Sequence, residues 1–228
     1  MWIKICGLTR VDIAREVARL APDAIGLNFY AQSKRRVTVD IAAEIVSLLP
    51  ASVTPVGLFV NHSPDEIRAI CQRTGLKTIQ LHGDETPEIV AELAEFQIIR
   101  AFRVGEAGLD HVAADLERYR TLGVTLHKCL IDAAVPGAYG GTGHRAPWEV
   151  LKRDWDSTWP PLVLAGGLTP ANVSQAIAEV SPAGVDIASG AEASPGVQDL
   201  QKVLAFITSA RQTPLALPNA VDPRSGTG

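Results

Sequence analysis

Three scarcities bound what this chain can be. It holds three cysteines in 228 residues, Cys6, Cys71 and Cys129, far apart, with no CxxC pair and no histidine cluster beside them. Such spacing argues against a structural zinc site, and the odd count argues against a disulfide framework. No apolar run approaches the ~20 residues that span a bilayer, and the opening MWIKICG lacks the apolar centre of a signal peptide. Positive charge forms no stripe of the kind nucleic acid binds, and the formal net charge of −4 is too mild to draw a polyanion. These absences lead us to expect a protein of a reducing cytoplasm, with no nucleic-acid partner and no membrane partner.

What is present is apolar and repeated. Hydrophobic residues make up 46% of the chain, enough for a packed interior and against disorder as the main state. Short apolar runs recur as WIKIC, AIGLNF, PVGLFV, TIQLH, IIRAF, KCLID, PLVLAG and GVDIAS. Most are rich in Val, Ile and Leu without strict alternation, as parallel strands covered by helices are. Between them apolar residues return at helical spacing, as in Ile13, Val17 and Leu20, in Ile67, Ile70, Cys71 and Thr74, and in Leu200, Val203, Leu204 and Ile207. Thr9 with Asp12 and Ser63 with Glu66 fit capping boxes, and Pro64, Thr86-Pro87 and Thr169-Pro170 add helix-start signals. Eight strand–helix units in about 210 residues predict a single α/β domain over 1–211, a (β/α)8 TIM barrel, with a doubly wound sheet as the alternative. The sixth helix is the least defined, a short stretch around Trp148 to Leu151. The tail 212–228, QTPLALPNAVDPRSGTG, has no period and reads as a disordered extension.

In such a barrel chemistry sits at the carboxyl ends of the strands. Cys6 closes the first strand two residues after Lys4, so both side chains point to the same side, into the barrel. A nearby ammonium favours the reactive thiolate, free cysteine having a pKa of about 8.5; a cysteine that merely packs is the alternative. Cys71, on an apolar helical stripe, and Cys129, mid-strand, read as core. Asp132 closes the sixth strand where no helix needs a cap, which makes it a candidate general acid opposite a cysteine base. The Gly-rich stretch after it, with Gly140, Gly141 and Gly143, reads as a lid able to fold over a ligand or as a plain surface loop. Gly166-Gly167 and Ser189-Gly190 follow the seventh and eighth strands, the usual phosphate position of this barrel, with ordinary turns as the alternative. Lys34, Arg35 and Arg36 crowd the loop after the second strand; an arginine fork there suits a carboxylate, and a solvated face is the other reading. Lys4, His82 and Asp186, near strand ends, can reach a ligand or serve the structure.

The stretches KICGLT, SKRR, GLFVN, IQLHGDE, LIDA…PGAYGGTG, LAGGLTPANV and GVDIASGAEASPGVQD fall in the order and spacing of the phosphoribosylanthranilate isomerases, which the chain resembles from Ile3 to about Ile207. The resemblance implies the Amadori rearrangement of N-(5-phosphoribosyl)anthranilate in tryptophan biosynthesis, with a small phosphorylated aminosugar as the ligand and no metal or organic cofactor. It implies Cys6 as general base, Asp132 as general acid, Arg35 on the anthranilate carboxylate, and Gly166, Gly167, Ser189 and Gly190 on the phosphate. A monomer and a homodimer are both compatible with it. Two departures stand out: Ala188 replaces a frequent serine, and GHRAPWEVL replaces the usual run after the lid glycines. The rivals are an aminoaldose isomerase of histidine biosynthesis, which would place an aspartate where Cys6 stands; a metal-dependent ribulose-phosphate epimerase, whose ligands are missing; and a catalytically silent phosphate-binding barrel.

Overall fold

The Val-, Ile- and Leu-rich runs form strands because both of their faces are covered, one by the barrel interior and one by helices. The computed structural model of the chain describes residues 1–133 and 146–214. Its eight parallel strands are β1 (Trp2–Cys6), β2 (Ala24–Asn28), β3 (Thr54–Phe59), β4 (Thr78–Leu81), β5 (Gln97–Val104), β6 (Lys128–Ala133), β7 (Leu162–Leu164) and β8 (Gly184–Ile187). Each pairs with the next and β8 pairs back to β1, with Lys4 opposite Asp186, so the sheet closes. The helices are α1 (Val11–Arg19), α2 (Val39–Leu48), α3 (Pro64–Thr74), α4 (Pro87–Ala91), α5 (Asp110–Thr121), α6 (Trp148–Asp154), α7 (Val173–Val180) and α8 (Leu200–Gln212). This is the predicted (β/α)8 barrel, and the doubly wound alternative falls. A small antiparallel hairpin, β9 (Glu192–Ser194) with β10 (Val197–Gln198), lies between β8 and α8 and was not foreseen.

Alternation along each strand divides the core in two. Ile3 and Ile5 face the helices and join the large outer layer, whereas Ala24, Val56, Ile99, Ala101, Leu130, Val163 and Ala165 fill the barrel over Trp2. Burying one such large aliphatic side chain stabilises the fold by roughly 1.5–3 kcal/mol. The barrel interior is therefore filled largely by apolar side chains, with Lys128 lying over Trp2 at the amino end and Lys4, Cys6, Gln80, Asp132 and Asp186 toward the carboxyl mouth.

The helix starts follow the sequence only in part. Ser63 and Glu66 make the reciprocal capping box, with Pro64 in the first turn of α3. Thr9 does not cap α1, which begins at Val11 behind Arg10; its hydroxyl donates instead to the Gly196 carbonyl at 2.6 Å. Thr169-Pro170 lies a turn ahead of α7, whose N-cap is Asn172; the Asn172 side chain accepts from Thr169 N and donates to the Gly167 carbonyl. Helix α8 runs through Gln212, one residue into the stretch read as tail, and 215–228 lie outside the described residues. So do Gly140, Gly141 and Gly143, read as a lid. Among the described residues no helix is long and apolar enough to cross a membrane.

Candidate active site

One cavity opens at the carboxyl ends of the strands, and it collects most of the residues singled out above. Cys6, Arg35, His82, Asp132, Gly166, Gly167, Asp186 and Ser189 line it, together with Asn28, Ser33, Gln80 and Ala188. Lys4 and Gly190 do not reach its wall.

Lys4 lies wholly beneath the wall, at 0% exposure, with its ammonium donating to Asp186 Oδ1 at 2.9 Å and hydrogen-bonded to the Cys6 side chain. Burial pulls Lys4 down, but Asp186 and Cys6 outweigh it and hold the ammonium above its ordinary value. Cys6 shows the opposite balance. Burial pushes its thiol up, and Lys4, the strongest opposing influence, does not bring it back because Asp186 adds to the rise. Lys4 thus favours the thiolate, as expected of a nearby ammonium, but in the free protein burial outweighs it. Room for the sulfur comes from β2, where Gly26 is the register partner of Cys6; a Cβ on Gly26 would stand 2.6 Å from Sγ.

Across the barrel, Asp132 is the penultimate residue of β6, with Oδ1 accepting from Ala133 N at 2.8 Å. Its Oδ2 lies 3.5 Å from His82 Nε2. The other His82 nitrogen, Nδ1, is 3.0 Å from Gln80 Nε2. With the Gln80 amide donating, the imidazole carries its proton on Nε2, toward Asp132 and the cavity. Among the described residues neither His82 Nε2 nor Gln80 Oε1 has a hydrogen-bond partner, although both atoms are buried. A buried polar atom without a partner at a cavity wall is a place for a ligand to supply one. Gln80 was missed at the sequence level, where its one signal is the spacing that puts it on the same face of β4 as His82.

The loops after β7 and β8 present main-chain donors. Gly166 and Gly167 take positive φ, 78° and 63°, and their N–H groups and that of Ser189 have no partner among the described residues. Gly190 packs against the Leu168 carbonyl, binding the two loops together. Arg35 is held by Glu192, Nε to Oε1 at 2.7 Å and Nη2 to Oε2 at 2.8 Å. Those hydrogen bonds raise the Arg35 pKa above its ordinary value against the pull of burial. Glu192 lies in the SGAEASPG stretch that carries the resemblance, but the sequence assigned it no role. Among the described residues no group of three His, Cys, Asp or Glu side chains is arranged to hold a metal ion.

A closed parallel barrel whose mouth brings together a cysteine, an aspartate and two donor loops has the form of a (β/α)8-barrel enzyme for phosphorylated substrates. The model of the N-(5'phosphoribosyl)anthranilate (PRA) isomerase family matches residues 3–209. The isomerase of that name from Trichlorobacter lovleyi is 41% identical over 210 residues, covering 92% of this chain and 98% of its own. The solved phosphoribosyl anthranilate isomerase from Thermotoga maritima superposes with a TM-score of 0.82 at 33% identity, over 92% of this chain and 98% of that one. A further solved isomerase of this name, in complex with reduced 1-(o-carboxyphenylamino)-1-deoxyribulose 5-phosphate, gives a TM-score of 0.79 at 33% identity with the same coverage. The chain belongs to the phosphoribosylanthranilate isomerase family, and it is an isomerase.

Proposed function

We propose that the chain converts N-(5-phosphoribosyl)anthranilate to 1-(2-carboxyphenylamino)-1-deoxyribulose 5-phosphate in tryptophan biosynthesis, with Asp132 as the acid and Cys6 as the base. The observation that carries this reading is the single cavity lined by Cys6 from β1, Asp132 from β6 and the donor loops after β7 and β8. The Asp132 carboxyl gives its proton to the furanose ring oxygen, and the C1–O bond breaks as the nitrogen lone pair forms C=N. The iminium acidifies the C2 proton, which the Cys6 thiolate takes while the released electron pair forms C1=C2 and neutralises the nitrogen. The enol then tautomerises, C1 gaining a proton. C1 is reduced and C2 oxidised within one molecule, so no outside oxidant or reductant enters.

Burial disfavours the thiolate; the Lys4 ammonium and the cationic Schiff base both favour it. Lys4 and Asp186 accordingly act on the ligand through Cys6, while His82 faces it from beside Asp132. The Gly166, Gly167 and Ser189 N–H groups receive the phosphate, with Gly190 fixing the loop, and Arg35 receives the carboxylate. No step calls on a metal or organic cofactor. A single catalytic domain over 1–211 and a monomer or homodimer go with this reading, and light scattering distinguishes the last two.

The test is a fluorescence assay on substrate formed in situ from anthranilate and phosphoribosyl pyrophosphate. Wild-type protein quenches it faster than the uncatalysed control, and Cys6→Ala and Asp132→Ala each lose about 10²–10⁴-fold in rate with unchanged circular dichroism. A folded Cys6→Ala that kept most of its rate would overturn the base.

A further inference from the structure

Arg35 reaches the cavity from the loop between β2 and α2, and the way it is held leaves one edge open. A guanidinium carries five N–H donors: a side edge made by Nε and one Nη, and an end edge made by the two Nη groups. Glu192 takes the side edge with both carboxylate oxygens. Among the described residues Nη1 has no hydrogen-bond partner.

Glu192 is itself fixed. Its side chain is 4% exposed; its Oε1 also accepts from Gly196 N at 3.0 Å, and its carbonyl accepts from Lys202 Nζ at 2.8 Å. The stem of Arg35 is confined as well. Gly7, at φ 81°, has its Cα beside the stem, and a Cβ there would stand 2.6 Å from Arg35 Cδ. So the hairpin sets the plane of the guanidinium, and a long flexible side chain enters the cavity wall with little freedom left to lose on binding.

We infer that Glu192 is a positioning residue for substrate recognition: by holding the Nε/Nη2 edge of Arg35, it presents the Nη1-bearing edge to the aryl carboxylate of the ligand. The inference rests on the assignment of Arg35 to the substrate carboxylate and extends it to a residue that touches no ligand. Its opposite is a Glu192 that only ties the hairpin to the barrel.

Two stable probes separate these. Reducing the condensate of ribose 5-phosphate with anthranilate or with aniline gives N-aryl aminoribitol 5-phosphates that differ by one carboxylate. Their Kd values are measured on wild type, Arg35→Ala and Glu192→Gln, alongside KM and kcat for the natural substrate. Arg35→Ala weakens the carboxylated probe about 10–100-fold and leaves the aniline probe within about two-fold. Glu192→Gln weakens the carboxylated probe about five- to ten-fold with the same selectivity, and raises KM while kcat is kept. If Arg35→Ala is selective and Glu192→Gln is silent, or weakens both probes alike, the inference is overturned and the Arg35 assignment stands. If Arg35→Ala is itself unselective, that assignment falls and the inference with it. Should Glu192→Gln not accumulate in folded form, Glu192→Asp, which keeps the buried charge but draws it back by one methylene, decides the same comparison.

Discussion

Arg100 and Arg35 are each paired with a buried glutamate, Arg100 through Nη1 and Arg35 through its Nε/Nη2 edge, and they differ in how many donors the protein engages. Arg100, on β5, lies between sheet and helices, 5% exposed. Its Nε donates to the Tyr119 hydroxyl, Nη1 to the Leu81 carbonyl and to Glu85 Oε2, and Nη2 to the carbonyls of Gly83 and Glu85. Every nitrogen is engaged by the protein, and the product is a rigid turn behind His82. Arg35 is held as firmly, but through one edge only. Ion-pair distance does not separate the two arginines; the count of donors left over does, and it is what supports the recognition role proposed for Arg35.

The largest effect expected comes from breaking the closed pair. Glu85→Ala strands the Arg100 charge in the interior and costs about 3–5 kcal/mol of unfolding free energy, read from urea titration. A loss below about 1 kcal/mol would mean the interior is less closed than its hydrogen bonds suggest.

Gly26→Ala disturbs the open end without touching either arginine. The new Cβ would stand 2.6 Å from Cys6 Sγ and 3.1 Å from Cys6 Cα, so the sulfur must move. A shift near 1 Å at a reacting group costs up to about 100-fold, and it appears in kcat rather than in KM. An unchanged kcat would show that Cys6 tolerates displacement.

The same conservative change at both arginines sharpens the contrast. Arg35→Lys keeps the cation but loses the planar fork, and KM rises about ten-fold with a small change in denaturation midpoint. Arg100→Lys lowers the midpoint and leaves KM in place. Equal rises in KM would erase the distinction.

Alkali gives the smallest effect and reaches the closed side. Burial pushes Tyr119 and Cys129 up to about 12, against the pull of Arg100 on both. The folded chain therefore keeps protons that the unfolded chain releases above the ordinary values of 10.0 and 9.0. Stability is whole below about pH 9 and falls as pH climbs toward 12. Tm measured from pH 8 to 11 checks the decline, and Cys129→Ala lessens it, since Tyr119 and Cys71, likewise pushed up to about 12, remain.

Much of this molecule was readable from sequence because its signals are local. The strand runs, the Ser63 cap and the strand-end positions of Cys6 and Asp132 need only neighbours a few residues away. What escaped depends on distance along the chain. Thr9 looked like a cap because it precedes Asp12, but its partner is Gly196, 187 residues on. Glu192 became meaningful only beside Arg35, 157 residues earlier. Gly26 carries no motif, and its purpose is a gap beside a sulfur on the adjacent strand. Lys4 was placed on the right side of the sheet, yet only the packed barrel shows that Asp186 and Cys6 enclose it.

The same long ties set an order in time. Gln198 Nε2 donates to the main-chain carbonyls of Cys6 and Gly7, both at 3.2 Å, and β1 completes its pairing only when β8 arrives. Synthesis runs from the amino end, so β1 with Cys6 is made well before β8 and the hairpin that frame it. A nascent chain carries Cys6 for most of its growth with neither Asp186 nor the hairpin to frame it. The mouth of the barrel is therefore framed only once β8 and the hairpin have been made and β8 has paired back onto β1.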